Sequence, residues 1–194
     1  MTKTEQGTAD RILQTAIQLM KDKGFKSVTI KEIAKAAQVS EMTIFRHFET
    51  KKNLLEAAIE KHSIVSSFQH IFENQLVWDL EQDLTLIATT YLELMEANRP
   101  IFLIATQERT TMPELSKLIS TNPKQLKQSL SQYFQVMSKK KKANIVNPDQ
   151  QATSFLTFLF GYFCSLTFLG DQFITETREN FIRHCVQTYC HGII

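Results

Sequence analysis

The chain has 194 residues, of which 43% are hydrophobic and 22% charged, so it can bury a sizeable core and is not a disordered chain. Its 5 glycines and 4 prolines are too few for the many turns of a β-sandwich or barrel, and we expect an all-α protein. The net charge of +2 argues against a general polyanion binder, although residues 1–62 carry eleven Lys and Arg against eight Asp and Glu.

The first predicted helix spans Ala9 to Lys23, where apolar residues recur at helical spacing. Gly24 follows two late lysines and precedes an apolar residue, which is typical of a left-handed glycine stop. Thr29 and Glu32 have the spacing of a capping box, in which each side chain accepts an amide proton near the start of the helix. A second helix of about nine residues is therefore predicted to begin after Thr29.

Two further helix starts follow closely. Ser40 is an N-cap candidate for a third helix that runs to about residue 47. Thr50 is the N-cap candidate of a fourth helix, which we expect to continue unbroken through the aromatic residues at 68 and 72. Two short capped helices separated by a brief turn predict a helix-turn-helix, and the two parts of the chain are expected to share the continuous fourth helix.

Beyond residue 62 the pattern stays helical. A helix is predicted over Leu80–Ala97, and Pro100 suits the first turn of the next. Pro113 and Pro123 are each expected to begin another helix, the second of which ends at lysines 139–142. This lysine run at a helix C-terminus is expected to be a solvated loop, with contact to DNA or a membrane as the alternative.

Pro148 predicts the start of a long helix through Leu169. Residues 151–170 contain no charge, so a transmembrane helix is an alternative, but interrupting Thr and Ser residues and the lack of flanking basic clusters favour a buried helix of a soluble protein. Thr175 is predicted to cap a final helix that ends near Cys190. The N-terminal residues have no apolar segment, and we expect no signal peptide.

The sequence offers little for catalysis or metal binding. The chain has an odd number of cysteines, Cys164, Cys185 and Cys190. We expect them to be reduced, buried side chains in a cytoplasmic protein. A zinc site that combines Cys185 and Cys190 with their neighbouring histidines matches no trusted ligand spacing. Because no glycine-rich phosphate loop, HExxH sequence or nucleophile elbow is present, we predict no catalytic residue, no metal and no cofactor. A reactive Cys185 beside His184 is the remaining enzyme hypothesis.

The third predicted helix carries side chains suited to duplex DNA, which is read by polar and basic groups in the major groove with donors to phosphate around them. Arg46 can donate to guanine or phosphate, and Thr43 can offer a methyl group to thymine or a hydroxyl to phosphate. Lys51 lies in the first turn of the fourth helix, beside amide donors that favour an anion, and suits a phosphate contact.

The stretch from Thr29 to Leu55 reads TIKEIAKAAQVSEMTIFRHFETKKNLL and resembles the DNA-binding domain of the TetR family of bacterial transcriptional regulators. The resemblance implies a DNA-binding domain over residues 6–66, with the motif at about 29–48, followed by a helical effector-binding and dimerisation domain over residues 67–194. It further implies a homodimer in which each subunit places one recognition helix in half of a palindromic operator on double-stranded DNA.

The resemblance also implies DNA contacts residue by residue. Thr29 and Lys31 would approach the DNA from the first helix of the motif, and His47 and Lys51 would meet the phosphates. The residues that would face the groove are Ser40, Glu41, Met42, Thr43 and Arg46.

Three positions depart from the family pattern. The family usually has Gly where this chain has Gln38, so Gln38 is expected to adopt a turn conformation that is easier for glycine. It also usually has Gly at Met42, and the larger side chain should alter the base preference. Phe45, which the resemblance also places among the DNA contacts, replaces the usual Tyr and lacks the hydroxyl that often contacts phosphate, so packing is the alternative role for this residue.

An effector pocket among the later helices is a further implication of the resemblance. No buried charge pattern points to a metal, phosphate or sugar, so we expect a predominantly hydrophobic small molecule. The alternative is that the aromatic positions only form the core. The candidate pocket residues are Phe68, Phe72, Trp78, Met95, Phe102, Phe134 and Phe158.

The helix predicted from Pro148 is apolar nearly all round and must be covered on all sides. A two-fold interface with the last helix would supply this cover, and the alternative is that both helices belong to the core of one subunit. The candidate interface residues are Phe155, Gly161, Tyr162, Phe181, Cys185 and Tyr189.

Together with these patterns, the resemblance implies a dimeric, cytoplasmic, ligand-responsive transcriptional regulator with no membrane partner, more in keeping with a repressor than an activator. The alternative is a helical interaction or scaffold protein that uses its Phe-rich surface and has no sequence-specific DNA binding.

Overall fold

The computed structural model describes the backbone of residues 3–192 and the side chains of residues 7–112 and 121–191, and the regular elements in this part of the chain are all helical. In chain order they are α1 (Lys3–Lys23), α2 (Ile30–Ala36), α3 (Glu41–Phe48), α4 (Lys51–Lys61), α5 (Val65–Asn74), α6 (Leu80–Ala97), α7 (Arg99–Glu108), α8 (Pro113–Lys139), α9 (Pro148–Leu169), a 3₁₀ turn (Gly170–Gln172) and α10 (Arg178–Gly192). The predicted all-α class is confirmed.

The chain forms two compact units. The first unit contains residues up to 63 together with residues 98–121, and the second contains residues 64–97 and those from 122 onward. The division inside α8 falls next to Pro123. The sequence alone places α7 in the second domain, whereas the structure packs it against α1, because Ile101 and Ile104 are buried in the same core as the apolar face of α1.

The helix starts in the first unit follow the sequence closely. The side chains of Thr29, Ser40 and Thr50 each accept the backbone amide proton three residues on, which satisfies a donor that has no partner within the helix. Gly24 has φ of +81° directly after α1, as the glycine-stop pattern predicts. These local hydrogen bonds fix α2, α3 and α4 as short, separate helices.

The fourth helix is not continuous, and the prediction that it runs through residues 68 and 72 is wrong. α4 ends at Lys61, and α5 begins at Val65. Asn98 explains the break, because its Nδ2 donates to the carbonyl oxygen of His62 at 3.0 Å and its Oδ1 lies 2.9 Å from Nδ1 of the same histidine. This tertiary contact satisfies a carbonyl group at the end of α4 in place of a further helical turn.

Two helix boundaries in the second half of the chain also differ from the predictions. α8 runs from Pro113 through Pro123 to Lys139, so Pro123 does not begin a new helix. The final helix begins at Arg178 and is capped by Thr177, whose Oγ1 accepts from the amide of Asn180, and not by Thr175. The predicted limits of α6 and α9 are confirmed.

In the second unit, α6 contacts both α9 and α10. The largest fully buried side chains of this unit include Phe134, Phe155 and Phe163. Asp83 is a buried carboxyl group that accepts the amide proton of Val77 at 2.9 Å and the hydroxyl proton of Tyr133 at 2.9 Å. It therefore joins the loop before α6 to α8 within the core.

The segment Pro148–Gln172 is long and apolar enough to span a membrane by length and composition alone, and an 18-residue window within it has a mean hydropathy of 1.6. Its buried residues include Phe155 and Leu159, and it packs against α6. The core helix of a soluble protein passes the same test. Other large apolar side chains of α9, among them Phe158 and Phe168, are exposed.

Candidate nucleic-acid interface

The third helix is held in place by its apolar side chains. Ile44 is 1% exposed and Phe48 9% exposed, and both belong to the core that α1, α2, α4 and α7 share. Between α2 and α3, Gln38 has φ of +54°, so the predicted glycine-like conformation is confirmed. Arg11 of α1 donates from Nε to the carbonyl oxygen of Ala37 at 2.9 Å and fixes the start of this turn. No sequence motif pointed to that contact.

The opposite face of α3 is open to solvent. Glu41, Met42, Phe45 and Arg46 are all exposed, so the structure brings four of the predicted DNA contacts onto one helix surface. Phe45 is 45% exposed, which does not fit a role in packing alone. This surface combines a carboxylate, a guanidinium group and two apolar side chains.

The hydroxyl groups at the start of α3 are already engaged. Ser40 Oγ accepts the amide proton of Thr43 at 3.1 Å, and it lies 2.8 Å from Oγ1 of Thr43. Both residues therefore support the helix cap, and Thr43 still carries a methyl group. The predicted position of Ser40 and Thr43 at the groove is consistent with the exposure of the neighbouring residues. Their hydroxyl groups, however, form hydrogen bonds that stabilise the start of α3.

The start of α2 is a second polar region of the first unit. The hydroxyl of Thr29 accepts from the amide of Glu32, and the amide of Thr29 donates to Oε2 of Glu32 at 2.9 Å, which completes the predicted capping box; the Thr29 hydroxyl also donates to Oε2. Lys23 donates to the same carboxylate at 2.9 Å. The Lys23 hydrogen bond, followed by those from Thr29, lowers the pKa of Glu32 to about 2. Lys31 is exposed on α2.

His47 has a mixed environment on α3. The residue is half-buried, and its ring lies 5.9 Å from that of Phe48. Its Nε2 is buried and has no hydrogen-bond partner. This atom is not open to a phosphate in the present conformation, so the predicted contact requires a rotation of the ring or the use of Nδ1.

Lys51 has a structural role that the sequence did not suggest. Its ammonium group donates to the carbonyl oxygens of Phe25 and Val28 at 2.7 Å each, and to that of Lys26 at 3.4 Å. It also lies 4.5 Å from the centre of the Phe25 ring, and burial lowers its pKa. An ammonium group has three protons, and all three face the loop between α1 and α2. The structure therefore does not support the predicted phosphate contact.

The second unit contains a cavity of about 460 Å³ between α5 and α8. Of the predicted pocket residues, Phe68, Phe72 and Trp78 line it. The other four do not: Phe134 is fully buried in the core, Met95 is half-buried on α6, Phe102 is part of the first unit, and Phe158 is 55% exposed on α9.

Carboxamides also line the cavity wall, whereas the predicted pocket residues are all aromatic or Met. The lining amide side chains are Gln69, Asn122, Gln125, Gln128 and Gln132. Among the described lining residues, Glu73 is the one charged side chain. The cavity is therefore apolar in part and rich in neutral hydrogen-bonding groups.

Trp78 is fixed at the edge of this cavity by several contacts. Its ring stacks on Tyr133 at 5.8 Å, and the ammonium group of Lys140 lies 3.9 Å from its centre. Lys142 donates to its carbonyl oxygen at 2.6 Å, and its φ is +62°. Two of the lysines in the run 139–142 thus hold Trp78, which corrects the expectation of a merely solvated loop.

The predicted interface residues divide into two groups. Phe155, Tyr162 and Cys185 are buried inside the second unit, so the alternative reading as core applies to them and they have almost no surface to offer a second subunit. Tyr162 stacks on Phe181 at 4.0 Å, and Tyr189 packs edge-on to Phe155 at 5.0 Å.

Of the other three predicted residues, Phe181 and Tyr189 are half-buried on α10, and Gly161 lies on the exposed side of α9. Gly161 is exposed, and a Cβ atom built there meets no heavy atom within 4 Å. The exposed large apolar side chains on α9 and directly after it are Phe158, Phe160, Phe168, Leu169 and Phe173. This exposed aromatic face was not distinguished from the buried side of α9 by the sequence, because apolar residues surround the helix.

Metal and thiol chemistry find no support among the described residues. No group of three or more His, Cys, Asp or Glu side chains in this part of the chain is placed to hold a metal ion. Cys185 is buried while His184 is exposed, and burial raises the pKa of the Cys185 thiol to about 11. Little thiolate forms at neutral pH, so Cys185 is a poor nucleophile.

Comparison with known families gives two matches. Residues 12–58 match the family of bacterial regulatory proteins, tetR family, and residues 82–191 match the C-terminal domain of AefR-like transcriptional repressors. The HTH-type transcriptional regulator YvkB of Bacillus subtilis (strain 168), itself uncharacterized, is 36% identical over 186 residues, which cover 96% of this chain and 97% of YvkB.

Two further comparisons are more distant. The negative regulator IcaR of the biofilm operon icaADBC in Staphylococcus aureus (strain Newman) is 26% identical over 90 residues, which cover 38% of this chain and 47% of IcaR. A transcriptional regulator from Saccharomonospora viridis, solved in complex with choline, superposes with a TM-score of 0.79 at 21% identity, with 97% of this chain and 98% of that chain covered. The second likeness concerns the fold alone.

Proposed function

The chain belongs to the TetR family of bacterial regulatory proteins, and we propose that it is a cytoplasmic repressor that binds a palindromic operator as a homodimer and is released by a small molecule. Members of this family are DNA-binding transcriptional regulators and not enzymes. The observation that carries the proposal is the open face of α3, which a capped helix start and two buried side chains hold outward.

The DNA contact is proposed to centre on α3. Its N-terminal half supplies side chains for the base edges, since this end of a recognition helix enters the major groove. Arg46 offers a bidentate donor for guanine or a phosphate contact. Lys31 of α2 and, after ring rotation, His47 supply phosphate contacts. Lys51 is left out of this set because it holds the loop after α1.

A homodimer is proposed because the exposed aromatic face of α9 needs cover. Apolar patches of this kind on a soluble protein mark sites of association. A two-fold axis near Gly161 would bring the same face of two subunits together, since the absent side chain allows a close approach. The two copies of α3 must then lie about 34–36 Å apart to enter successive major grooves.

The cavity between α5 and α8 is the proposed effector site. Its volume of about 460 Å³ is in the range of small-molecule pockets. The amide side chains on its wall favour a ligand with an apolar body and neutral polar groups, which refines the expectation of a predominantly hydrophobic molecule. Release from DNA requires that this ligand bind the DNA-incompetent conformation more tightly than the competent one.

We propose that the protein represses transcription and does not activate it. The match of residues 82–191 to the C-terminal domain of AefR-like repressors supports it, and so does the partial likeness to the negative regulator IcaR. A bound dimer that occupies promoter DNA blocks transcription without any further surface for an activating contact.

The test is selection of bound duplexes from a random DNA library, with the full-length protein at moderate salt. We expect a palindrome with half-sites one helical turn apart. Arg46→Ala should weaken binding to this palindrome at least about 10-fold, since a bidentate base contact contributes about 1–3 kcal/mol. Lys124→Ala removes the same charge from an exposed position of the second unit and should leave the affinity unchanged.

Recovery of no enriched sequence would contradict the proposal and favour the interaction-protein alternative. For the effector, the selected palindrome is titrated with the protein in the presence of fractionated lipophilic extract. Loss of binding that coincides with a change in the emission of Trp78, the single tryptophan of the chain, would assign the ligand to the cavity.

A further inference from the structure

The first unit exposes two large apolar side chains among its described residues, and both lie on α3. Met42 is 74% exposed and Phe45 is 45% exposed. The other large apolar side chains of α3, Ile44 and Phe48, are buried in the core. An apolar pair that remains in solvent on the one helix proposed to enter DNA calls for an apolar group on the DNA side.

The two side chains form one surface. Residues three apart on a helix are neighbours, so Met42 and Phe45 lie on the same side of α3. Met42 is the second residue of the helix and therefore belongs to the end that approaches the base edges. Neither is engaged in the helix cap, which uses Ser40 and Thr43. Both are therefore placed to meet the floor of a major groove.

The major groove offers one kind of apolar group. Guanine, adenine and cytosine present acceptors and amino donors there, whereas thymine presents its C5 methyl group beside one acceptor. A phenyl ring offers no conventional hydrogen bond and a thioether sulfur is only a weak acceptor, so both side chains would displace water from the donors and acceptors without replacing its hydrogen bonds. Contact with a methyl group has no such desolvation cost.

We propose that Met42 and Phe45 read the C5 methyl groups of thymines, so that each half-site of the operator requires thymine at the positions that these two side chains contact. The inference rests on the proposed DNA-binding function and adds the base that α3 selects. It also gives the substitution of the usual glycine by Met42 a defined consequence, because glycine has no side chain that reaches a methyl group.

The expected size of the effect follows from the burial of one methyl group. Loss of a buried methyl corresponds to about a four-fold change in the dissociation constant. Since a palindrome repeats each position, replacement in both half-sites should weaken binding about 15-fold.

The experiment replaces thymine by uracil, which removes only the methyl group. The operator recovered by selection is synthesised with uracil at one thymine position at a time in both half-sites. Binding of full-length wild-type, Met42→Ala and Phe45→Ala protein is measured by fluorescence anisotropy. Thr43→Ser tests the competing assignment to the methyl group of Thr43, because it removes this methyl but retains the hydroxyl that contacts Ser40.

We expect uracil to weaken wild-type binding about 15-fold at one or two positions per half-site. The loss at one position should disappear in Met42→Ala, and the loss at a second in Phe45→Ala, while Thr43→Ser retains both. Met42 and Phe45 are exposed, so both variants should melt close to the wild-type temperature.

Equal affinity for every uracil-containing operator would overturn the inference while the regulator function stands. Uracil sensitivity that persists in both alanine variants, or that Thr43→Ser alone removes, would also overturn it. Recovery of no operator at all would instead contradict the proposed function, and with it this inference. The two failures are therefore distinguishable.

Discussion

The two units of this protein bury their apolar side chains in different ways. In the first unit, the three short capped helices α2, α3 and α4 pack with α1 and α7 around a core of mostly aliphatic residues, and the exposed large apolar side chains among its described residues are Met42 and Phe45 on α3. In the second unit, long helices with aromatic cores leave several large apolar side chains exposed along α9 and a cavity between α5 and α8.

This difference is in line with the three kinds of partner proposed above. A polar surface with one small apolar pair suits DNA, whose groove offers polar edges and thymine methyl groups. A broad aromatic surface suits a second copy of the chain, and a cavity with a mixed lining suits a small molecule. The four substitutions below test this contrast, from the largest expected effect to the smallest.

Gly161→Leu tests the assignment of the α9 face to dimerisation. A side chain at this position meets open space within one chain, so the subunit should fold normally. Across a two-fold interface two new side chains would collide, and we expect the dimer dissociation constant to rise by about 30-fold to more than 1,000-fold, from steric costs of about 1–3 kcal/mol in each copy. Sedimentation equilibrium measures the change.

Gly7→Leu is the matched control, because a Cβ there also meets no atom within 4 Å. A dimer of unchanged stability would move the interface elsewhere.

Asp83→Ala tests the polar link inside the second unit. The substitution leaves the Val77 amide and the Tyr133 hydroxyl without their acceptor, and the free energy of unfolding should fall by about 3 kcal/mol. Asp79→Ala is the control, since Asp79 is an exposed cap that accepts from the amide of Gln82 and contributes about 1 kcal/mol. Urea denaturation followed by the emission of Trp78, which stacks on Tyr133, measures both variants. An equal loss of unfolding free energy in the two variants would show that the buried hydrogen bonds of Asp83 contribute no more than an exposed helix cap.

Lys51→Ala tests the structural role of this lysine in the first unit. Two carbonyl groups lose a charged donor at 2.7 Å, and we expect a loss of about 2 kcal/mol, or several degrees in the melting temperature. Lys52→Ala is the control, because its ion pair with Glu56 at 3.8 Å lies on the surface, where such pairs contribute about 0–1 kcal/mol.

The same pair of variants separates stability from DNA contact. If Lys51 holds only the loop, Lys51→Ala should leave the slope of operator affinity against salt concentration unchanged at a temperature where the variant is folded. A slope that falls by about one unit, with an unchanged melting temperature, would restore the phosphate contact that the sequence predicted.

Gln38→Gly has the smallest expected effect, and it raises stability. The residue has φ of +54°, where a side chain is strained, so glycine should stabilise the protein by about 0.5–1 kcal/mol. Gln135→Gly is the same change in an exposed position of α8 and should destabilise the protein by about 1 kcal/mol. Thermal melts that show the same sign for both variants would contradict this account.

Much of the first unit could be predicted from its sequence because the deciding interactions are local. Thr29, Ser40 and Thr50 each bond an amide three residues away, and Gly24 ends α1 within its own turn. The strained conformation of Gln38 also followed from the residue type that the family prefers there. The open face of α3 follows from the spacing of its buried side chains alone.

The candidate sites of the second unit were only partly predictable. Aromatic residues recur on every side of α9, so periodicity gave no sign of which face is covered. The carboxamides of the cavity come from two helices that lie far apart in the sequence. Trp78 was predicted as a lining residue, but its support by Lys140 and Lys142 depends on a contact across more than sixty positions.

The sequence by itself determined the helical class, the capped helices of the DNA-binding unit and the surface that α3 presents, because helix caps, glycine stops and apolar periodicity act over a few residues. Only the tertiary structure decided that Lys51 binds backbone carbonyls, that Asn98 bonds the end of α4 and separates it from α5 as a distinct helix, and that one side of α9 remains exposed. Each of these outcomes depends on groups that are distant in sequence. Which of the possible partners forms the hydrogen bond or covers the apolar surface is determined only when the chain has packed.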